Sequence, residues 1–309
     1  MMEHQDKIKI AQEVLRLRLS QILVNDRYKK GDFKVPIHLA LGHEAIAVAV
    51  SAIMEGKDQL VLTHRNIHYN LARAGSLKGE LDEYYLKPQG LARGLLGSMN
   101  LDNDNRGVVY SSSILGNNLP VAAGLSLGNK VKSQESIVIV VTGDGAIEEG
   151  SFYESLVFLK SNGLSELIII ENNQWSLATR IEERRCPIDL AKFADSLGVR
   201  YEIFSSNNPF EYISKLADYR QWSLSNKAPV CVEVQLTTLG HWRMKTDGYP
   251  EGKFINYHAG PAPDVDSQKD YIFTSTKEDV VFVLREHFKK EEIEAMADRI
   301  LSQLQKEIA

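Results

Sequence analysis

The residues best suited to chemistry stand at the ends of two apolar runs. Ile137-Val138-Ile139-Val140-Val141 leads into Thr142-Gly143-Asp144-Gly145, and Leu167-Ile168-Ile169-Ile170 leads into Glu171-Asn172-Asn173, with 26 residues between Gly145 and Asn172. A carboxylate, an amide oxygen and a free backbone carbonyl are hard donors, the kind that hold Mg²⁺ while leaving positions for water and phosphate oxygens. The glycines beside Asp144 let backbone approach a bulky anion, and unpaired N–H groups at the start of a following helix can bind it. Either motif alone reads as an ordinary turn. Their pairing at two run ends points to a Mg²⁺-diphosphate site.

The elements that must position these groups follow from patterning. Both runs are rich in β-branched residues and bounded by turn residues, which predicts buried strands. Between them Phe152, Leu156 and Leu159 share one stripe of a helix expected over residues 148–162, stopped by Gly163. Strand, crossover helix and strand make a parallel pair, whose C-terminal ends lie on the edge where open α/β sheets bind ligands. Leu60–Leu62, Val199–Phe204 and Pro229–Leu236 read as further strands, with helices at Ile188–Leu197 and Pro209–Tyr219. The fold class is therefore α/β, a mostly parallel sheet with helices on both faces.

Elsewhere, residues 7–24 place Ile8, Ala11, Val14, Leu15, Leu19, Ile22 and Leu23 at helical spacing with Arg and Lys opposite, which predicts a peripheral amphipathic helix. A second helix opens at Gly42-His43-Glu44-Ala45, and a third is expected with Asn118 as its N-cap and Pro120 in its first turn. Residues 237–247 read as a loop, residues 248–266 as an ordered surface extension without periodicity, and residues 290–308 as a terminal docking helix. With no repeat and no low-complexity linker, residues 1–309 are expected to form one domain.

Composition narrows the function classes. A hydrophobic content of 43% can fill a sizeable core, and a net charge of 36 − 41 = −5 without a block of like charge argues against nucleic acid or anionic membrane as partner. Cys186 and Cys231 lack metal-binding spacing and suit a cytoplasmic protein. The apolar runs are about a strand in length, too short for a transmembrane helix, and residues 1–6 lack a signal-peptide core.

Gly143-Asp144-Gly145 and Asn172-Asn173 at this spacing resemble the thiamine diphosphate motif. The wider text, GDGAIEEGSFYESL through ENNQWSLATR, is similar to the α subunit of the two-subunit 2-oxoacid dehydrogenase E1 components, including pyruvate and acetoin dehydrogenases. The resemblance implies the thiamine diphosphate-binding fold, with Asp144, Asn173 and the main-chain carbonyl of Trp175 as Mg²⁺ ligands. It also implies that Gly143, Asp144, Gly145 and Ala146 lie against the diphosphate. His64 and Arg65 fall on the family's Tyr-Arg, where the Arg binds diphosphate. Ser113 and Leu115 fall in the segment that contacts the cofactor, with Leu115 in the bulky place that keeps it bent.

Three stretches depart from the family text. Ile67 stands where the family has a substrate-side His, and His68, one place later, is a candidate catalytic residue in its stead. On residues alone, His64 and His68 are also open to a zinc pair, if helical, or to plain surface polarity. Asn100 replaces a family His at the end of Gly97-Ser98-Met99-Asn100. His241, in Thr237-Thr238-Leu239-Gly240-His241, resembles the His of a loop at the active-site mouth and is a candidate proton donor or substrate-orienting group; a packed or solvated loop residue is the alternative. The family's phosphorylatable Ser after that His is missing, so regulation through it is not expected.

The resemblance implies an enzyme inactive alone, completed by a β subunit that carries the pyrimidine-binding domain, as an α₂β₂ assembly. The leading expectation is decarboxylation of a 2-oxoacid and transfer of the acyl fragment, with a lipoyl carrier as one acceptor. A second is the N-terminal half of a split transketolase-like enzyme moving a ketol or acyl group from a ketose to a sugar. A third is a noncatalytic subunit that holds the cofactor for structure only.

Overall fold

A computed structural model describes residues 2–265 and 271–309. Its centre is a six-stranded parallel sheet in the order β2-β1-β3-β4-β8-β7, built from β1 (Gln59–Thr63), β2 (Val108–Ser112), β3 (Val138–Gly143), β4 (Glu166–Asn172), β7 (Arg200–Phe204) and β8 (Val230–Gln235). Every strand pair in this sheet is parallel. In a strand, successive side chains point to opposite faces, and here both faces are covered. Ile139 and Val141 of β3, with Leu167 and Ile169 of β4, join one apolar cluster. Val138, Val140, Ile168 and Ile170 join the other. This double burial explains why both strands read as continuous apolar runs rather than alternating ones.

Helices α1 (His4–Lys29), α2 (Glu44–Ile53), α3 (Ile67–Ala74) and α4 (Leu77–Tyr84) precede β2, and α5 (Asn118–Val131) and α6 (Gly150–Ser161) flank β3. A short α7 (Ile181–Arg184) and α8 (Leu190–Ser196) follow β4, α9 (Pro209–Asn226) links β7 to β8, and α10 (Val280–Val283) and α11 (Lys290–Glu307) end the chain. The strand order reverses direction between β1 and β3: β1 is followed on one side by β2, while β3 leads to β4 on the other. Such a switch point leaves a crevice outside the carboxyl ends of the strands. Among the described residues, no helix is long and apolar enough to cross a membrane.

Several expectations change. The first helix is not peripheral: residues 17–25 of α1 are all buried. Arg18, which patterning assigns to a polar face, is fully buried among Glu44 (Nε to Oε1 2.6 Å), Asp279 (Nη1 to Oδ1 2.9 Å) and the carbonyl of Tyr271 (2.8 Å). Asn118 is not an N-cap. That position is Asn117, without a side-chain cap, and Asn118 lies inside the first turn and donates to the carbonyl of Val141. The helix expected over residues 148–162 is present as α6, residues 150–161, preceded by a 3₁₀ turn, Ala146–Glu148. The loop and the aperiodic extension form instead an antiparallel hairpin, β9 (Trp242–Thr246) and β10 (Tyr249–Ile255). Asp266, where the extension was expected to end, lies outside the described residues.

The Arg18 cluster ties the first helix to α2 and to the C-terminal segment through charge in a dry core. Removing one member of such a set leaves uncompensated buried charge and costs roughly 3–5 kcal/mol. Arg18→Ala is expected to lower unfolding free energy by that amount in urea denaturation. A change below about 1 kcal/mol, the range of a surface pair, would contradict the role given to this cluster.

Candidate active site

Pairing of β3 with β4 sets the first part of the site. Gly143 lies opposite Glu171, and the Asp144 amide donates to the Glu171 carbonyl at 3.3 Å, so Asp144 and Asn173 leave the sheet at the same level. Thr63 of β1 lies opposite Ser112 of β2, which brings His64-Arg65 and Ser113 through Gly116 to the neighbouring part of that edge. Together these ends wall an open cleft, placed where open α/β sheets bind ligands.

His64, Arg65, Ser113, Leu115, Gly143, Asp144, Gly145, Ala146, Asn173 and Trp175 all line this cleft. His68 and His241 do not. His68 is fully buried on α3, with Nε2 3.0 Å from Glu171 Oε1. Because α3 begins at Ile67, His64 lies before the helix, and the two histidines do not share a helical face as a zinc pair would. His241 stands before β9, with Nε2 3.3 Å from Asp264 Oδ2.

The Asp144 carboxylate is only 3% exposed. Burial raises its pKa, opposed by Arg184, whose Nη2 lies 2.8 Å from Asp144 Oδ2 and 3.1 Å from Glu148 Oε1. A buried carboxylate that already draws a cation is chemically suited to a metal ion, and Asn173 adds an amide oxygen. That oxygen accepts from the Trp175 N–H at 3.0 Å, while Asn173 Nδ2 donates to Thr238 Oγ1 at 2.8 Å. Gly145 is needed for close approach: a Cβ there would sit 3.0 Å from Ser176 Cβ, where the small hairpin β5 (Trp175–Ser176) and β6 (Thr179–Arg180) closes over the loop. This donor set, with glycine backbone beside it, fits a Mg²⁺-bound diphosphate.

Five residues at or behind the cleft escape sequence reasoning: His38 and His258, which join the expected His64, and Glu171, Arg184 and Thr238. His38, His64 and His258 cluster, each offering a ring nitrogen within 4.8 Å of the others. His64 and His258 line the cleft, and the buried His38 Nδ1 has no hydrogen-bond partner. Burial, with the Arg65 guanidinium next, lowers their pKa values to about 2 for His38, about 3 for His64 and about 4 for His258. Glu171, recognised in sequence only as a strand end, is a buried hub accepting from Tyr69 Oη at 2.9 Å besides contacting His43 and His68. Burial alone would raise its pKa, but the two imidazoles outweigh that and hold it well below the carboxylate range. Arg184 and Thr238 complete the missed groups. No local spacing marks them: Arg184 meets Asp144 across 40 residues and Thr238 meets His43 across 195. Arg65 is buried, donates to the carbonyl of Leu39, and sits over the Tyr257 ring.

Comparison with known proteins gives the family. Residues 14–249 match the dehydrogenase E1 component family. The α subunit of acetoin:2,6-dichlorophenolindophenol oxidoreductase from Bacillus subtilis is 30% identical over 189 residues, covering 61% of this chain and 55% of that protein. The pyruvate dehydrogenase E1 component α subunit of Rickettsia bellii is 27% identical over 232 residues, covering 75% of this chain and 71% of that one. Its Rhizobium meliloti counterpart is 25% identical over 195 residues, covering 63% and 56%. The aligned stretch thus spans about half to seven tenths of these relatives. With three quarters of its length matched and the motif residues gathered at one sheet edge, this chain belongs to the dehydrogenase E1 component family.

Proposed function

We propose that the chain is the diphosphate-binding α-type subunit of a two-subunit thiamine diphosphate enzyme that decarboxylates a 2-oxoacid and transfers the acyl fragment. The observation that carries this reading is the convergence of Asp144 and Asn173 on one glycine-flanked cleft wall. Asp144, Asn173 and the Trp175 carbonyl would hold Mg²⁺; Arg65 and the glycine backbone would neutralise and cradle the diphosphate; Leu115 would support the cofactor's bend. Bound there, thiamine diphosphate supplies the electron sink for the carbanion chemistry. The neutral imidazoles of His64 and His258 offer hydrogen-bond donors and acceptors within the cleft. His241, outside the lining, remains a candidate at the mouth, and His68 one that acts through Glu171.

Exposed apolar side chains at the cleft, with Ile114 70% and Leu177 62% exposed, support a partner subunit that covers them, the β subunit in an α₂β₂ assembly. Its acceptor is a lipoyl carrier in the dehydrogenase reading. A cytoplasmic site of action accompanies it. A second reading, ketol or acyl transfer between hydroxylated substrates, is favoured by the three neutral histidines. Each neutral imidazole offers one donor and one acceptor, a pattern suited to hydroxyl groups.

The complex with the β subunit is expected to bind thiamine diphosphate only with Mg²⁺, and Asp144→Ala to abolish metal-dependent binding in calorimetry; retained metal-dependent binding in that variant would contradict the ligand assignment. Product analysis with 2-oxoacids and with ketose donors separates the two reactions. In the ketol reading, His258→Ala lowers turnover of the ketose at least tenfold, while unchanged turnover would remove the histidines' support for it. The histidine pKa values also set a pH dependence. Between about pH 4 and the ordinary range near ~6.5, the unfolded chain binds protons that the folded one does not. Stability is therefore full above that window and lost as pH falls through it. The melting temperature should drop from pH 7 to pH 5, less steeply in His38→Asn/His64→Asn.

A further inference from the structure

Asn173 can serve as a ligand only if its amide oxygen, not its NH₂, faces the cleft, and the two ends differ little in shape. We propose that a one-way hydrogen-bond chain, Asn173 to Thr238 to His43 to Glu171, fixes that choice, making Thr238 and His43 positioning residues for the metal site. The inference rests on the Mg²⁺-diphosphate reading above.

The chain is continuous. Asn173 Nδ2 lies 2.8 Å from Thr238 Oγ1, Thr238 Oγ1 lies 2.8 Å from His43 Nε2, and His43 Nδ1 lies 3.1 Å from Glu171 Oε2. His43, Thr238 and Glu171 are buried, and the bond from Asn173 is partly buried. An ionised carboxylate only accepts, which requires the Nδ1 facing it to carry a hydrogen. We assign His43 this neutral Nδ1–H tautomer, in which Nε2 is an acceptor and the Thr238 hydroxyl donates to it. With its hydrogen committed, the hydroxyl oxygen has only lone pairs left for Asn173, which accept from NH₂ and repel an amide oxygen. The amide oxygen is turned to the Trp175 N–H side, where Trp175 lines the cleft.

Backbone packing holds the two halves of this chain together. The Leu239 N–H donates to the Leu41 carbonyl at 2.8 Å, and Gly42, at φ +95°, approaches Thr237 so closely that a Cβ would lie 2.2 Å from its carbonyl oxygen. Glycine is suited to this left-handed backbone and close approach. It delivers His43 next to Thr238 from elements far apart in sequence. At its other end, Glu171 is anchored by His68 and Tyr69 on Oε1, leaving Oε2 for His43.

Groups that orient metal ligands are commonly worth roughly 10- to 100-fold in metal affinity. The test titrates Mg²⁺ by calorimetry into the complex with its β subunit in the presence of a fixed excess of thiamine diphosphate. Thr238→Val, similar in shape and without the hydroxyl, should raise the Mg²⁺ Kd by that factor, while Thr238→Ser restores it to near the native value. A merely structural threonine would lower the melting temperature without moving the Mg²⁺ Kd. Thr238→Ala gives the same comparison if valine disturbs folding. Native Mg²⁺ affinity in a variant lacking the hydroxyl, or equal weakening in the serine variant, would overturn the proposal. Failure of the native complex to bind Mg²⁺ would overturn the underlying site reading instead.

Discussion

The site depends on parallel pairing of β3 and β4 in a register that sets Gly143 opposite Glu171. Their side chains fill two separate apolar clusters, one on each face of the sheet. A slip of one residue would exchange side chains between these two close-packed clusters, so the fit of each cluster, rather than a polar–apolar alternation, holds the register. The same register places Asp144 and Asn173 at one level beyond the strand ends. The precision of the polar site is thus inherited from the core, and the β1–β3 switch point opens the space in front of it.

Charge in and behind the cleft follows one rule: a buried charge has a partner or is neutralised. Asp144 is matched by Arg184, and Glu171 by two imidazoles and a phenol. His38, His64 and His258 take the other route and stay uncharged, because burial and the nearby Arg65 both oppose protonation. The cleft therefore combines a fixed cation at Arg65, a carboxylate at Asp144 and a neutral group of donors and acceptors between elements. That division suits an anionic cofactor on one side and a polar, uncharged part of a substrate on the other.

What could be read from sequence was what is local. The apolar runs of β3 and β4, the turn residues after them and the helix between are all encoded within about ten residues of themselves, so the sheet edge and its Asp144 and Asn173 were legible. Arg18 was misread because periodicity scores it as polar surface, whereas its partner Asp279 is 261 residues away. The hairpin of β9 and β10 was hidden because β10 contains Pro250 and Gly252 and buries only Ile255. The histidine cluster was invisible for the same reason: positions 38, 64 and 258 share no spacing, and only the folded chain brings them together.

The central claim is that the β3 and β4 ends, not the histidine cluster, hold the metal. The most direct measurement is a crystal structure of the complex with its β subunit, thiamine diphosphate and Mn²⁺ in place of Mg²⁺, with the metal located by anomalous scattering. The account predicts one peak bounded by Asp144, Asn173 and the Trp175 carbonyl, beside the diphosphate. A peak among His38, His64 and His258, with none at Asp144, would contradict it.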